Sequence, residues 1–225
     1  MLSRKYFSPP VKLVHAAFVR DESHCIERML KTILPYVDES YLLIDDRTKD
    51  NTKEIAESMG CTTQLFKFEN FGKTKNTLLK WVNDKTDFIM GLAPDETISP
   101  EFGEQLKPLA QKIINTDIDC VWFSRRHWWD LEMINEANDG PVRSKWYPDW
   151  QARFLRADFP RIHMVKYVHE VVQGTRQHRQ VQLDINHFNL YYKKLINYDW
   201  DRLLADYKVL EELQRKEGGA NIWPT

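Results

Sequence analysis

Strand-like and helix-like segments alternate without interruption from residue 11 to residue 124, and few architectures tolerate that order. Apolar, β-branched runs stand at 11–19 (VKLVHAAFV), 40–44 (SYLLI), 62–68 (TTQLFKF), 87–92 (DFIMGL) and 119–124 (DCVWFS). Runs of this kind predict strands. Between them lie segments with helical spacing, such as DESHCIERMLKTILPYV, where Ile26, Met29, Leu30, Ile33 and Leu34 recur on one face. In DNTKEIAESMG, Asp50 or Asn51 serves as the cap and Gly60 as the stop. EFGEQLKPLAQKIINT predicts a helix that Pro108 kinks. Strands joined through single helices return in the same direction. The expected fold class is therefore α/β, a mostly parallel sheet flanked by helices.

Past residue 125 the pattern loosens. Short strands are expected at ARFLR, VVQG and VQLDINHF, and an amphipathic helix at DWDRLLADYKVLEELQRK. This predicts a smaller, irregular half packed onto one edge of the sheet. With 225 residues the chain is expected to form one domain, a binding half over 11–124 and a second half over 125–225.

Composition mainly excludes. The 32 Lys and Arg balance 33 Asp and Glu, so bulk charge points to neither nucleic acid nor membrane. No apolar stretch approaches the roughly 20 residues of a spanning helix, and the N-terminus MLSRKYFSPP lacks the apolar core of a signal peptide. Cys25, Cys61 and Cys120 form no Cys-x-x-Cys pair and read as reduced thiols. The expected location is the cytoplasm.

In parallel sheets ligands bind beyond the carboxyl ends of the strands. Here the first strand ends in Arg20, Asp21 and Glu22, the second in Asp45, Asp46 and Arg47, and the fourth in Asp95 and Glu96. Adjacent carboxylates repel and need a cation or a helix N-terminus to answer them. Asp95 or Glu96 starting the next helix is one reading, and a ligand site on the rim is the other. No Gly-x-Gly-x-x-Gly, Walker, His-Glu-x-x-His or nucleophile-elbow sequence occurs, which argues against dehydrogenases, P-loop NTPases, zincins and α/β-hydrolases. A nucleotide held by side chains remains, its phosphates bridged to a carboxylate by magnesium or manganese.

VHAAFVRDE (14–22), LLIDDRTKDNTKEIAESMG (42–60), FGKTKN (71–76) and FIMGLAPDETI (88–98) stand in that order. Together they resemble the successive blocks of family 2 glycosyltransferases of GT-A fold. WYPDWQARFLR (146–156), YVHEVVQG (167–174) and DINHF (184–188) resemble the smaller bacterial members that add sugars to lipopolysaccharide cores. The resemblance spans roughly residues 11–190. It implies inverting transfer from a nucleotide-diphosphate sugar, a UDP-sugar first among them, to a hydroxyl of a glycan, glycolipid or nucleic acid, with Mn2+ or Mg2+. By position, Ala16, Ala17, Phe18 and Arg20 line the base pocket, Asp45 or Asp46 accepts from the base, and Lys75 stands near the nucleotide. Asp95 matches the last Asp of the Asp-x-Asp motif, and His187 a late metal ligand. The first Asp of that motif is Ala93 here, with Pro94 following. That departure motivates the competing class, a nucleotide- or glycan-binding module that kept the fold and lost catalysis.

Inverting transfer needs a base to deprotonate the acceptor hydroxyl. Asp149 is the candidate and Glu170, beside His169, the runner-up; Gln151 and Arg153 are candidates for holding the leaving phosphate. RRHWWD (125–130) and WYPDW (146–150) offer flat platforms for a sugar or base, or core packing. Between Arg143 and Arg179 eight Lys or Arg face three Asp or Glu, an excess of five. This suggests either a phosphate-bearing acceptor or a face balanced from elsewhere.

Overall fold

The computed structural model describes residues 10–128, 148–183, 187–191 and 200–216. Four strands, β1 (Leu13–Val19), β2 (Glu39–Asp45), β3 (Thr62–Phe66) and β4 (Phe88–Met90), run parallel in the order β3-β2-β1-β4. Between them and after them come α1 (Ile26–Ile33), α2 (Thr52–Ser58), α3 (Phe71–Val82) and α4 (Pro100–Ile113). Both sheet faces are covered over β1, β2 and β4, so these strands are buried almost throughout rather than alternating, whereas the edge strand β3 is largely exposed. Alternate residues of β1 serve different cores. Leu13 and Val19 join α1 and α4 through Met29, Leu30, Phe102 and Leu106. Val14 and Ala16 join Leu78, Leu79 and Val82 of α3. Helix α4 comes close enough to the chain after α1 that a Cβ on Gly103 would lie 2.2 Å from the Tyr36 ring. It also runs on through Pro108, on its exposed side, where water can satisfy the carbonyl that loses its helical partner.

The segment after β4 does not open a helix. Glu96–Ile98 is a strand, β5, and α4 begins only after Ser99, whose Oγ accepts from the Phe102 amide at 3.2 Å. Ser followed by Pro is the stronger start signal, which leaves Glu96 in extended chain.

The second half is not packed onto an edge. Strand β6 (Ile118–Trp128) is longer than expected, and β7 (Asp149–Arg156) lies antiparallel between β4 and β6. Strands β10 (Gln177–Val181) and β11 (Phe188–Tyr191) extend β6 in parallel, and β5 pairs antiparallel with β11 to complete a nine-stranded sheet. A short ribbon, β8 (His163–Val165) with β9 (Val171–Gln173), stands apart against α3. The Asn76 amide holds it there, donating to the Met164 carbonyl at 2.8 Å and accepting its N–H at 2.7 Å. Helix α5 (Trp200–Lys216) docks on the loop of this ribbon, where Gln214 Oε1 accepts from the Tyr167 amide at 2.8 Å. Among the described residues no helix is long and apolar enough to cross a membrane.

Candidate active site at the carboxyl rim

Because β1, β2 and β4 are parallel, their carboxyl ends share one rim. His15 ties them together. Its Nε2 faces the Leu92 carbonyl at 3.0 Å, so that nitrogen carries the proton, and Nδ1 accepts from Ser40 Oγ at 2.8 Å. Burial lowers its pKa to about 4, against the pull of the Leu92 carbonyl, and keeps the ring neutral.

Two adjoining cavities open beyond this rim. The first, about 230 Å3, is lined by Ala16, Ala17, Phe18, Phe71, Gly91 and Leu92. The second, about 410 Å3, is lined by Trp122, Arg125, Trp150, Gln151 and His169. Lys75, Arg153, Glu170 and Tyr207 line both. Glu170 is delivered by the β8–β9 loop, where Lys166 (φ 75°) and His169 (φ 51°) take the left-handed conformation that side-chain-bearing residues rarely adopt. Its carboxylate is ion-paired with the Lys75 ammonium. Burial alone would raise its pKa, but Lys75, followed by Arg153, holds it below the usual carboxylate range. Tyr207, from α5, packs on Phe71 with ring centroids 5.3 Å apart. Burial and the nearby charges of Glu170 and Asp95 push its phenol up to about 12, so it stays protonated as a donor.

The two adjacent carboxylates of PDETI have separate fates. Glu96 is fully buried. Its Oε1 accepts from Arg125 at 2.6 Å and Arg153 at 2.7 Å, and its Oε2 from Arg153 and the Ala93 amide, each at 2.9 Å. Burial opposes ionisation, yet Arg153 and then Arg125 bring its pKa down to about 2. Asp95 is half-buried and lies near Arg153 and Tyr207.

The remaining candidates fall around this arrangement. Asp149 Oδ2 accepts from Arg125 Nε at 2.8 Å and its Oδ1 from Gln151 at 2.8 Å. Asp45 is buried and clamped by Arg47, with Nε–Oδ1 2.9 Å and Nη2–Oδ2 2.6 Å, whereas Asp46 is exposed. Arg20 meets Asp206 of α5 at 3.2 Å. His187 uses Nδ1 on Ser99 Oγ at 2.9 Å. No cluster of three metal-ligating side chains among the described residues contains Asp95 or His187. Trp129, Asp130, Trp146 and Tyr147 of the aromatic segments lie outside the described residues.

The positive segment is answered in part from elsewhere. Arg156, Arg161 and Arg176 converge on the buried Asp119, at 2.9, 2.8 and 2.8 Å, and Arg153 is held by Glu96. Both carboxylates lie outside the segment whose charges were counted. Sequence reasoning also missed Tyr207 and the Arg125–Glu96–Arg153 clamp. Their only signal was a tyrosine in an amphipathic helix and a charge in a strand.

No protein-family model matches the chain, and no curated protein matches its sequence. Solved structures do resemble it. Glucosyl-3-phosphoglycerate synthase from Mycobacterium tuberculosis, in complex with Mn2+, uridine diphosphate and phosphoglyceric acid, is 14% identical, with a TM-score of 0.56 over 94% of this chain and 80% of that one. S. aureus TarS, residues 1–349 in complex with UDP-GlcNAc, is 15% identical, with a TM-score of 0.50 over 80% of this chain. The chain spans 58% of that TarS fragment, less than two thirds. At these identities the likeness concerns the fold, which is of the GT-A glycosyltransferase type.

Proposed function

We propose that this GT-A-type fold carries a working transferase, which moves a sugar from a nucleotide-diphosphate donor to an acceptor hydroxyl with inversion. The observation that carries the reading is the pair of cavities meeting at Lys75, Arg153, Glu170 and Tyr207. A displacement between two substrates needs two adjoining pockets and a group at the junction. The small side chains of Ala16 and Ala17 and the ring of Phe18 give the first cavity a flat apolar wall suited to a nucleobase. The second, with Trp122 and Trp150, suits the acceptor, whether glycan, glycolipid or nucleic acid. The resemblance to structures holding uridine diphosphate or UDP-GlcNAc favours a UDP-sugar donor.

In this reading the acceptor oxygen attacks the anomeric carbon, the bond to the diphosphate breaks, and the acceptor proton passes to a carboxylate. Glu170 is better placed than Asp149, because it lines both cavities while Asp149 already accepts from Arg125 and Gln151. Lys75 and Arg153 face the cavity that would hold the diphosphate; drawing Lys75 toward the phosphates would release Glu170 for its proton. Arg20, with Asp45 or Asp46, would serve the base and ribose. A half-buried carboxylate on the rim fits a hard cation, so Asp95 would hold Mn2+ or Mg2+, with the Nε2 of His187 as a further donor. Such an ion, when bound, supplies charge neutralisation for the leaving diphosphate.

The second reading is a binding module without catalysis. It is favoured by both candidate bases already being ion-paired. A thermal-shift screen of nucleoside diphosphates and their sugars, with and without manganese, tests binding; a ligand at about 100 times its Kd adds roughly 2.7 kcal/mol. Release of nucleoside diphosphate, with the product's anomeric configuration read by NMR, tests transfer. Binding without release would establish the module, and retention of configuration would overturn the inverting mechanism.

A further inference from the structure

The turn between β1 and α1 brings three different metal-ligating groups together. Ligand atoms of Glu22, His24 and Cys25 all lie within 4.8 Å of one another. Cys25 Sγ is 3.3 Å from Glu22 Oε2, and His24 Nε2 is 3.9 Å from that same oxygen. Tetrahedral zinc with ordinary bond lengths sets ligand atoms roughly 3.4–3.6 Å apart. The two observed separations, the first of them a hydrogen bond donated by the thiol, differ from this by a few tenths of an ångström, and His24 and Cys25 lie within 4.8 Å of each other.

The turn is also fixed in place. The Glu22 amide donates to Thr52 Oγ1 at 2.7 Å and the Ser23 amide to Asp50 Oδ2 at 3.0 Å. The amides of Cys25 and Ile26 both donate to the Glu22 carbonyl, at 3.0 and 2.9 Å. Closing the ligand set therefore needs little ordering beyond what folding has done. Cys25 closes the inner side of the cluster, and the exposed His24 marks the side from which an ion enters.

We propose that Glu22, His24 and Cys25 form a resident three-ligand site for a zinc-class cation, its fourth position open to water or an incoming ligand. A thiolate, an imidazole and a carboxylate together select a borderline-soft ion over magnesium. The proposal rests on the transferase reading only for what the ion serves there, since the cluster follows the carboxyl end of β1.

The test uses the full chain, freed of metal and titrated with cobalt chloride as an optical stand-in for zinc, with no nucleotide present. One cobalt per chain is expected, with the visible bands of a tetrahedral site and a near-ultraviolet sulfur-to-cobalt charge-transfer band. Zinc should displace it and magnesium should not. Cys25→Ser, with folding confirmed by circular dichroism, should lose the charge-transfer band. His24→Ala should weaken binding by more than the roughly 10- to 100-fold that loss of an outer-shell partner costs. Absence of the band in the native chain, or its persistence in Cys25→Ser, overturns the site. A chain that shows no such band yet is stabilised by a nucleoside diphosphate with manganese loses this site and keeps the transferase reading.

Discussion

Replacing Glu96 by glutamine removes one charge and almost no volume from the point where three strands meet. The native carboxylate accepts four hydrogen bonds, from Arg125, Arg153 and the Ala93 amide, and is fully buried. Its pKa stands at about 2 against an ordinary 4.5. At about 1.4 kcal/mol per unit, this difference contributes about 3 kcal/mol of stability at neutral pH. A depressed carboxyl pKa makes that contribution complete above pH 4.5, with loss as pH falls toward 2. Glutamine forfeits it and leaves Arg153 answered there only by an amide oxygen, while Arg125 keeps Asp149. Breaking a buried pair from one side costs about 3–5 kcal/mol, in agreement with the first figure. Urea unfolding at pH 7 should show a loss of this size. Repeated between pH 4.5 and 2, it should show a shallower decline for Glu96→Gln than for the native chain. A loss under about 1 kcal/mol with an unchanged acid limb would refute the clamp.

Glu170→Gln should depress turnover by about 10²- to 10⁴-fold and leave donor affinity intact or tighter, since Lys75 loses its competing partner; Asp149→Asn should do less, and steady-state rates with donor affinity measured separately decide between them. Asp45→Ala should destabilise the fold by stranding Arg47, whereas Asp46→Ala should leave melting unchanged; calorimetry with the nucleoside diphosphate shows which loss reaches binding. His15 is held neutral with a pKa near 4, so the unfolded chain takes up its proton first and stability falls as pH drops from about 6.5 to 4. His15→Phe should remove that part of the decline, at most about 1.4 kcal/mol per pH unit, as read from melting curves across the range.

The layout of the first half was legible in the residues. Apolar runs such as LVHAAFV and SYLLI, separated by helices with caps, leave little but a parallel sheet covered on both faces, and that sheet brings the ends of β1, β2 and β4 to one rim. Strand and helix patterns are local, so a sequence displays them directly. Pairing between distant charges is not local. Nothing near Glu96 announces that Arg125 and Arg153, 29 and 57 positions away, will converge on it, nor that Asp119 will gather Arg156, Arg161 and Arg176 from a segment that looks strongly cationic by itself. The insertion of β7 between β4 and β6 made the first of these contacts possible, and sequence spacing carries no record of it. Likewise Tyr207 reaches the cavities only because α5 docks on the β8–β9 loop. The sequence set where charges could stand; the tertiary structure decided which are neutralised within the fold, because electrostatic partners are chosen by distance in space after the chain has folded.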